Sequence, residues 1–151
     1  MKLIVKIGKR LLAFMIVLYI AVCAYLYFQQ ENILFHPTKL SSDYEFDFKV
    51  KFEEKTIVGE DGTKLSGVLF KSYNSKGLVF YLHGNAGDIK RCEKDAYVYT
   101  DLGYDCFVLD YRGFGKSEGK IISQNQFYSD VEIAYDSLCK SYEEQNIIIL
   151  G

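Results

Sequence analysis

Residues 78–87 read LVFYLHGNAG, so a continuous apolar run passes directly into a glycine-rich loop. A short apolar run without polar alternation is typical of a strand that is covered on both faces of a sheet. Beyond Asp88, which can cap a helix, apolar residues recur at spacings of three and four until Gly103 ends the pattern. The apolar face of this predicted helix carries Ile89, Cys92, Ala96, Tyr99 and Leu102.

A second unit of the same kind begins at residue 106, where CFVL predicts a buried strand and DYRGFGKSEG (110–119) forms its loop. Ser123 and Gln126 have the spacing of a capping box at the start of a helix. The apolar face of that helix carries Phe127, Val131, Ala134, Tyr135 and Leu138. A third strand, at residues 147–150, has no helix after it.

Upstream, Asp61-Gly62 lies between the strand-like segments 49–58 and 65–71, which predicts a β-hairpin. Strands that then alternate with helices of about 15 residues indicate an α/β protein with a mostly parallel sheet. In such sheets, ligands bind at the carboxyl ends of the strands, where both glycine-rich loops are expected.

Residues 11–28 form a run of apolar character without a single charge. As a helix at 1.5 Å per residue this run spans about 27 Å, close to the hydrocarbon thickness of a bilayer. Basic residues on its N-terminal side favour a cytoplasmic N-terminus, with the rest of the chain on the far side of the membrane. The basic residues are Lys2, Lys6, Lys9 and Arg10.

The lipid bilayer is therefore an expected partner of residues 11–28. The alternative is a signal peptide that is cleaved after residues 22–24, which would release a secreted domain. The expected divisions are a basic cytoplasmic segment (1–10), a transmembrane signal anchor (11–28), a connector (29–48) and an α/β domain (49–151).

The charge balance argues against a nucleic-acid partner. Lys and Arg number 18 against 20 Asp and Glu, for a net charge of −2. The four N-terminal cations conceal a more acidic remainder, near −2 − 4 = −6. Nucleic-acid binding needs a basic surface that neutralises phosphates, and the domain lacks that excess.

The cysteines support neither a disulfide framework nor a zinc site. Cys23 lies in the apolar run, which leaves Cys92, Cys106 and Cys139 without a C-x-x-C spacing. Cys106 is expected to pack as a small apolar side chain. The redox state of the three remains open, and no metal or cofactor is expected.

Two cofactor fingerprints fail in the second loop. A P-loop that ends in Gly115-Lys116-Ser117 would need glycine where Asp110 stands. A dinucleotide fingerprint that starts at Gly113 would need glycine where Glu118 stands, since Gly119 comes one residue late. The glycines are better explained by a tight turn in which the backbone requires positive φ.

Three polar residues of the loops invite a catalytic role. His83 can titrate near neutral pH, but its place at the end of a buried strand favours a loop anchor over a general base. Asp110 and Arg112 are expected to hold the second loop in shape, as an ion pair or through backbone contacts. His36 is a weaker candidate than His83, and Ser117 has no neighbouring base in sequence.

The two loops, LHGNAG and DYRGFGKSEG, resemble in order and separation those of the α/β-hydrolase fold. They are especially similar to the membrane-anchored Bem46/ABHD13-like serine hydrolases, and the resemblance extends from the anchor to Gly151. It implies the N-terminal part of such a fold, in which a Ser nucleophile on a G-x-S-x-G elbow works with a His and an acidic residue.

By this resemblance, Gly151 is the first glycine of the elbow, and the nucleophile, the acid and the catalytic His all lie beyond it. The chain as given is then expected to be inactive, while the longer protein would cleave small ester, thioester or amide substrates. One oxyanion-hole donor would come from Asn85, with Ala86 as its neighbour. The residues expected to shape the loops are His83, Gly84, Gly87, Asp110, Arg112, Gly113 and Gly115. A non-catalytic, membrane-tethered α/β binding module is the alternative.

Overall fold

The structure is a computed structural model that describes residues 2–151. The chain divides after Leu34 into two units. The first unit is a single helix, α1 (Lys2–Leu34), which is long and apolar enough to cross a membrane by length and composition. It contains the predicted anchor 11–28 and extends that helix at both ends, into the basic segment and into the first residues of the connector.

The second unit is built on a five-stranded mixed sheet with the order β2-β3-β6-β4-β7. Its strands are β2 (Phe52–Val58), β3 (Lys64–Phe70), β4 (Leu78–Tyr81), β6 (Asp105–Leu109) and β7 (Ile147–Leu150). Strand β3 pairs antiparallel with both β2 and β6, whereas β4 pairs parallel with both β6 and β7. The predicted hairpin is confirmed, with Gly62 at φ +81° in its turn.

The chain after β4 is less regular than its apolar spacing predicts. The Asp88 side chain accepts a hydrogen bond from the Lys90 N–H, at 2.9 Å, and so caps a 3₁₀ turn, Ile89–Cys92. The α-helix proper, α2 (Glu93–Asp101), starts only after this turn. Leu102 is consequently 58% exposed and does not join the apolar face. Gly103, at φ +86°, ends the helix as predicted.

Helix α3 (Gln124–Cys139) begins at the predicted cap, where the Ser123 side chain accepts a hydrogen bond from the Gln126 N–H. The reciprocal bond of a capping box is shifted by one residue, because the Gln126 amide oxygen accepts from Ile122. This bond pairs the N–H of the residue that precedes the N-cap, just outside the helix.

Alternate residues of the central strands face opposite sides of the sheet, and both sides are covered. Phe80 and Phe107 contribute to one apolar cluster, which includes Ala134 and Leu138 of α3. The opposite side is covered by the 3₁₀ turn and α2, through Ile89, Cys92 and Ala96. Cys106 is fully buried there, and burial raises the pKa of its thiol to about 12, so it packs as a neutral apolar group. At the sheet edge, β7 keeps Ile148 and Ile149 about half exposed.

Two further strands of two residues each lie outside the main sheet. They are β1 (His36–Pro37), which starts one residue after the end of α1, and β5 (Ala86–Gly87), which belongs to the loop after β4. They pair parallel, with His36 opposite Ala86 and Pro37 opposite Gly87.

Candidate active site

The candidate site lies where three parallel strands end at one edge of the sheet. The first loop (residues 82–88) follows β4, and the second loop (residues 110–119) follows β6. Gly151 follows β7 and lies beside the first loop, since the Leu82 N–H donates to the Leu150 carbonyl at 2.7 Å. A Cβ placed on Gly151 would lie 3.5 Å from the Cβ of Leu82. The backbone therefore brings the residue after β7 next to the loop that contains Asn85.

His83 fixes the orientation of the peptide that joins Gly84 to Asn85. Its Nδ1 lies 2.8 Å from the Gly84 carbonyl oxygen. A carbonyl oxygen only accepts, so Nδ1 carries the proton and donates it. The N–H of Asn85 belongs to the same peptide plane as that carbonyl and points the opposite way, because the peptide is trans. The buried imidazole thus directs the Asn85 N–H away from itself.

Strand β1 fixes the peptide that joins Asn85 to Ala86. The His36 N–H donates to the Asn85 carbonyl at 2.8 Å, and the Thr38 N–H donates to the Gly87 carbonyl at 2.7 Å. By the same planar geometry, the Ala86 N–H points away from β1. Both peptide planes that flank the Asn85 Cα are therefore held by hydrogen bonds, while residues 84–86 remain exposed to solvent.

Behind the first loop, His83 faces a buried carboxyl group. Its Nε2 lies 3.6 Å from Oδ1 of Asp110, and the Ile89 N–H donates to the same oxygen at 3.0 Å. Burial raises the pKa of Asp110, although the neighbouring imidazole opposes that shift. Within residues 2–151, the buried atoms His83 Nε2 and Asp110 Oδ2 have no hydrogen-bond partner of normal length.

Glycine is required where the second loop crosses this carboxyl group. A Cβ on Gly115 would lie 1.9 Å from Asp110 Oδ2, and the residue has φ +45°. Gly113 and Gly119 also have positive φ, as the tight-turn interpretation predicts. Gly84 differs from them, because a Cβ there would meet nothing within 4 Å.

Aromatic rings enclose the imidazole of His83. The Tyr111 ring lies 4.5 Å from it, and the Tyr111 hydroxyl donates to the His83 carbonyl at 2.7 Å. Phe114 lies 5.4 Å away on the second loop. Burial raises the pKa of Tyr111, so its hydroxyl remains protonated and can donate.

Arg112 connects the second loop to two other parts of the domain. Its guanidinium forms bidentate pairs with Asp130 of α3, at 2.6 and 2.8 Å, and with Asp61 of the hairpin turn, at 2.6 and 3.0 Å. These hydrogen bonds raise the pKa of Arg112 and lower that of Asp61. Asp110 and Arg112 thus have separate partners: Asp110 faces His83 inside the site, and Arg112 binds Asp61 and Asp130 at its outer side.

Two residues that sequence motifs single out have structural partners. The buried Ser117 hydroxyl donates to the Asp110 carbonyl at 2.5 Å and accepts from the Ser66 N–H at 2.7 Å. The Lys116 ammonium binds the Tyr44 carbonyl at 2.7 Å and the Glu54 carboxylate at 2.5 Å. Neither residue offers a group that is directed toward the first loop. Among residues 2–151, no three His, Cys, Asp or Glu side chains form a group that could hold a metal ion.

Solved structures share this arrangement of strands. The Pyrococcus furiosus esterase Pf2001 aligns with a TM-score of 0.61 at 22% identity, over 77% of this chain and 46% of that chain. An α/β-hydrolase from Vibrio vulnificus aligns with a TM-score of 0.57 at 26% identity, over 65% and 34%. Together with the sheet order and the loops at its carboxyl edge, these similarities define an α/β-hydrolase fold.

A match to a protein-family model identifies one family among the α/β-hydrolases. The model described as "Serine aminopeptidase, S33" matches residues 73–151, more than half of the chain. The chain belongs to this family and is, by family, a hydrolase.

Three relatives show the extent of the sequence similarity. The uncharacterized protein YfhR of Salmonella typhi is 28% identical over 142 residues, covering 85% of this chain and 45% of YfhR. The α/β-hydrolase domain-containing protein 17C of Xenopus tropicalis is 35% identical over 83 residues, covering 53% and 26%. The uncharacterized membrane protein YNL320W of Saccharomyces cerevisiae is 24% identical over 152 residues, covering 97% and 54%.

The chain spans about half the length of the curated relatives YfhR and YNL320W. Helix α1 is long and apolar enough to cross a membrane, and the yeast relative is described as a membrane protein.

Proposed function

We propose that the whole protein that carries this chain is a membrane-anchored serine hydrolase, which cleaves a small ester, thioester or amide through an acyl-enzyme. The main support is the position of Asn85 between two fixed peptide planes, beside the end of β7. In an α/β-hydrolase, the nucleophile stands on a turn directly after a strand, and one oxyanion donor comes from the loop of a neighbouring strand.

In this proposal, Gly151 opens the nucleophile elbow and the serine stands two residues further on. The Asn85 N–H donates to the oxyanion, and Ala86 leaves the backbone accessible. Preorganised donors of this kind stabilise the charge that develops on the substrate oxygen, and one donor contributes about 3 kcal/mol. The acid and the catalytic His also lie beyond Gly151, so residues 1–151 alone are inactive. By its similarity in loops and anchor, the protein is of the Bem46/ABHD13 type.

The proposal also includes an orientation in the membrane. The basic residues at the start of α1 lie on the cytoplasmic side, residues 11–28 span the bilayer, and the hydrolase domain lies on the far side. A cysteine-labelling or protease-protection assay in sealed vesicles tests this orientation independently of activity. Digestion of the domain by protease added outside cytoplasmic-side-in vesicles would agree with this orientation, and protection of the domain there would contradict it.

The activity is tested on the protein expressed from its whole reading frame. A fluorophosphonate probe should label one serine in the elbow, and substitution of that serine by alanine should abolish both labelling and hydrolysis of p-nitrophenyl acetate. Residues 1–151 expressed alone should show neither. Absence of a G-x-S-x-G sequence that starts at Gly151, or absence of labelling in the folded full protein, would contradict the proposal and favour a membrane-tethered binding module.

A further inference from the structure

We infer that β1 is a positioning element of the oxyanion site, and that the His36 main-chain N–H is the group through which it acts. This inference rests on the proposed function, because it assigns β1 a role in the same site. The hydrogen bond of 2.8 Å from His36 to the Asn85 carbonyl lies on the C-terminal side of the Asn85 Cα. His83 restrains the peptide on the N-terminal side.

The two restraints together limit rotation about both backbone bonds of Asn85. The hydrogen bond from His36 holds the carbonyl of the peptide that joins Asn85 to Ala86, so its loss removes one restraint on the position of Asn85. An oxyanion donor acts over a hydrogen bond of about 2.7–3.1 Å, so a small displacement of its N–H weakens the stabilisation of the transition state.

The segment that contains β1 is itself fixed by its surroundings. We call residues 35–40 the strap. At one end, the Phe35 ring packs 5.9 Å from that of Phe127. At the other end, the Leu40 N–H donates to the Gly115 carbonyl at 2.9 Å, and the Gly115 N–H donates to the Thr38 carbonyl at 2.9 Å. The strap therefore joins the first loop to the second.

The strap is attached to the two loops mainly through main-chain hydrogen bonds and less through buried side chains. His36, Pro37, Thr38 and Lys39 are all exposed. His36 and Thr38 donate to the first loop, whereas Pro37, between them, has no N–H and its position in the ladder does not need one. The fixed φ of proline also reduces the conformational freedom that the strap loses when it pairs.

The test compares two substitutions at one exposed position in the protein expressed from its whole reading frame. His36→Pro removes the N–H, while His36→Ala removes the same imidazole and keeps the N–H. We expect kcat of His36→Pro to fall at least tenfold below that of His36→Ala, with KM within twofold. The affinity for a boronic acid that forms a tetrahedral adduct should fall by a similar factor, because the adduct resembles the transition state.

A purely structural role of the strap would lower the melting temperature and the amount of folded enzyme without this division between kcat and KM. If His36→Pro does not fold, the α-hydroxy analogue of alanine is placed at position 36, so that an ester oxygen replaces the N–H of His36→Ala and little else changes. The same loss of kcat and boronate affinity is expected.

The outcomes separate the two proposals. A wild-type enzyme that is labelled by fluorophosphonate, together with equal kcat and equal boronate affinity in the N–H-bearing and N–H-lacking variants, would overturn the role of β1 and leave the hydrolase function intact. A folded wild-type protein that neither reacts with the probe nor hydrolyses esters would instead overturn the proposed function.

Discussion

His83 Nε2 lies 3.6 Å from Asp110 Oδ1, and both side chains are buried. Because Nδ1 donates to Gly84, a neutral imidazole would present its Nε2 lone pair to the carboxyl group. That arrangement is repulsive against a carboxylate, so one additional proton is needed between the two groups. The pair then acts as a buried support for the first loop, in which the His83 side chain contacts both Asp110 and the Gly84 carbonyl.

Replacement of His83 is expected to destabilise the domain. His83→Ala removes the bond to Gly84 and the ring that packs against Tyr111, which together should cost about 2–3 kcal/mol of unfolding free energy. Urea unfolding of the 151-residue chain in detergent micelles, followed by tyrosine near-UV circular dichroism, measures the change. The other histidine supplies the control, since His36→Ala alters an exposed side chain and should stay within about 0.5 kcal/mol. Equal effects at both positions would contradict the assignment.

The glycines of the two loops should differ sharply in their tolerance of a methyl group. Gly115→Ala places a Cβ against Asp110 Oδ2 at a positive φ and should cost about 3 kcal/mol or prevent folding. Gly84→Ala meets open space and should stay within about 0.5 kcal/mol. Thermal melting of both variants, compared with the unmodified chain, provides the measurement. A stable Gly115→Ala protein would show that Asp110 does not occupy this position.

Arg112 should not be replaceable by lysine. Its guanidinium binds Asp61 and Asp130 in two bidentate pairs, and an ammonium group can reproduce only part of these bonds. Arg112→Lys should therefore lower the unfolding free energy by about 2 kcal/mol. The exposed Arg91, changed to lysine, is the matched control and should have little effect. An Arg112→Lys variant as stable as the control would mean that charge alone holds the second loop.

Asp105 should make the unfolding free energy of the domain vary with pH in the acidic range. Burial raises the pKa of Asp105, but hydrogen bonds from Lys71, Tyr142 and Ser72 outweigh that effect and lower the pKa below its ordinary value. A lowered folded-state pKa contributes stability that is present above the unfolded-state pKa, about 3.9, and is lost as the pH falls through the folded value.

The variant Asp105→Asn tests this sign. We expect it to be less stable than the unmodified chain by about 2 kcal/mol at pH 7, with the difference shrinking below pH 4. Urea titrations at pH 7, 5 and 3 measure the change. A difference that is constant across these pH values, or that grows toward pH 3, would be incompatible with the lowered pKa.

Local patterns predicted the hairpin, the buried strands and the two helix caps, because each of these depends on residues close together in the sequence. The 3₁₀ turn after Asp88 was not predicted, since its apolar spacing also fits an α-helix. Because the 3₁₀ turn precedes the helix, Leu102 falls outside the apolar face. The strand order of the mixed sheet was not predicted, because pairing between strands that are distant in sequence leaves no signal in the spacing of apolar residues.

The candidate site was predicted in part. His83, Asp110 and Arg112 stood out in the sequence as polar residues among glycines, but their partners did not. Asp61 and Asp130 are remote from Arg112 along the chain, and no local pattern connects them to it. The contribution of β1 was missed for another reason, because exposed residues that act through the main chain leave no side-chain pattern. Pro37, between two hydrogen-bond donors, is the one signal that could have indicated it.

Phe35 is the only residue between the end of α1 at Leu34 and the start of β1 at His36. Two residues of chain can extend by only about 7 Å, so the covalent connection has almost no slack. A force that acts on α1, for example through bilayer tension, passes along the main chain first to the strap, where Phe35 packs against Phe127 and His36 binds the first loop, before it reaches the central sheet. In mechanical terms, the strap is the first folded segment in series with α1.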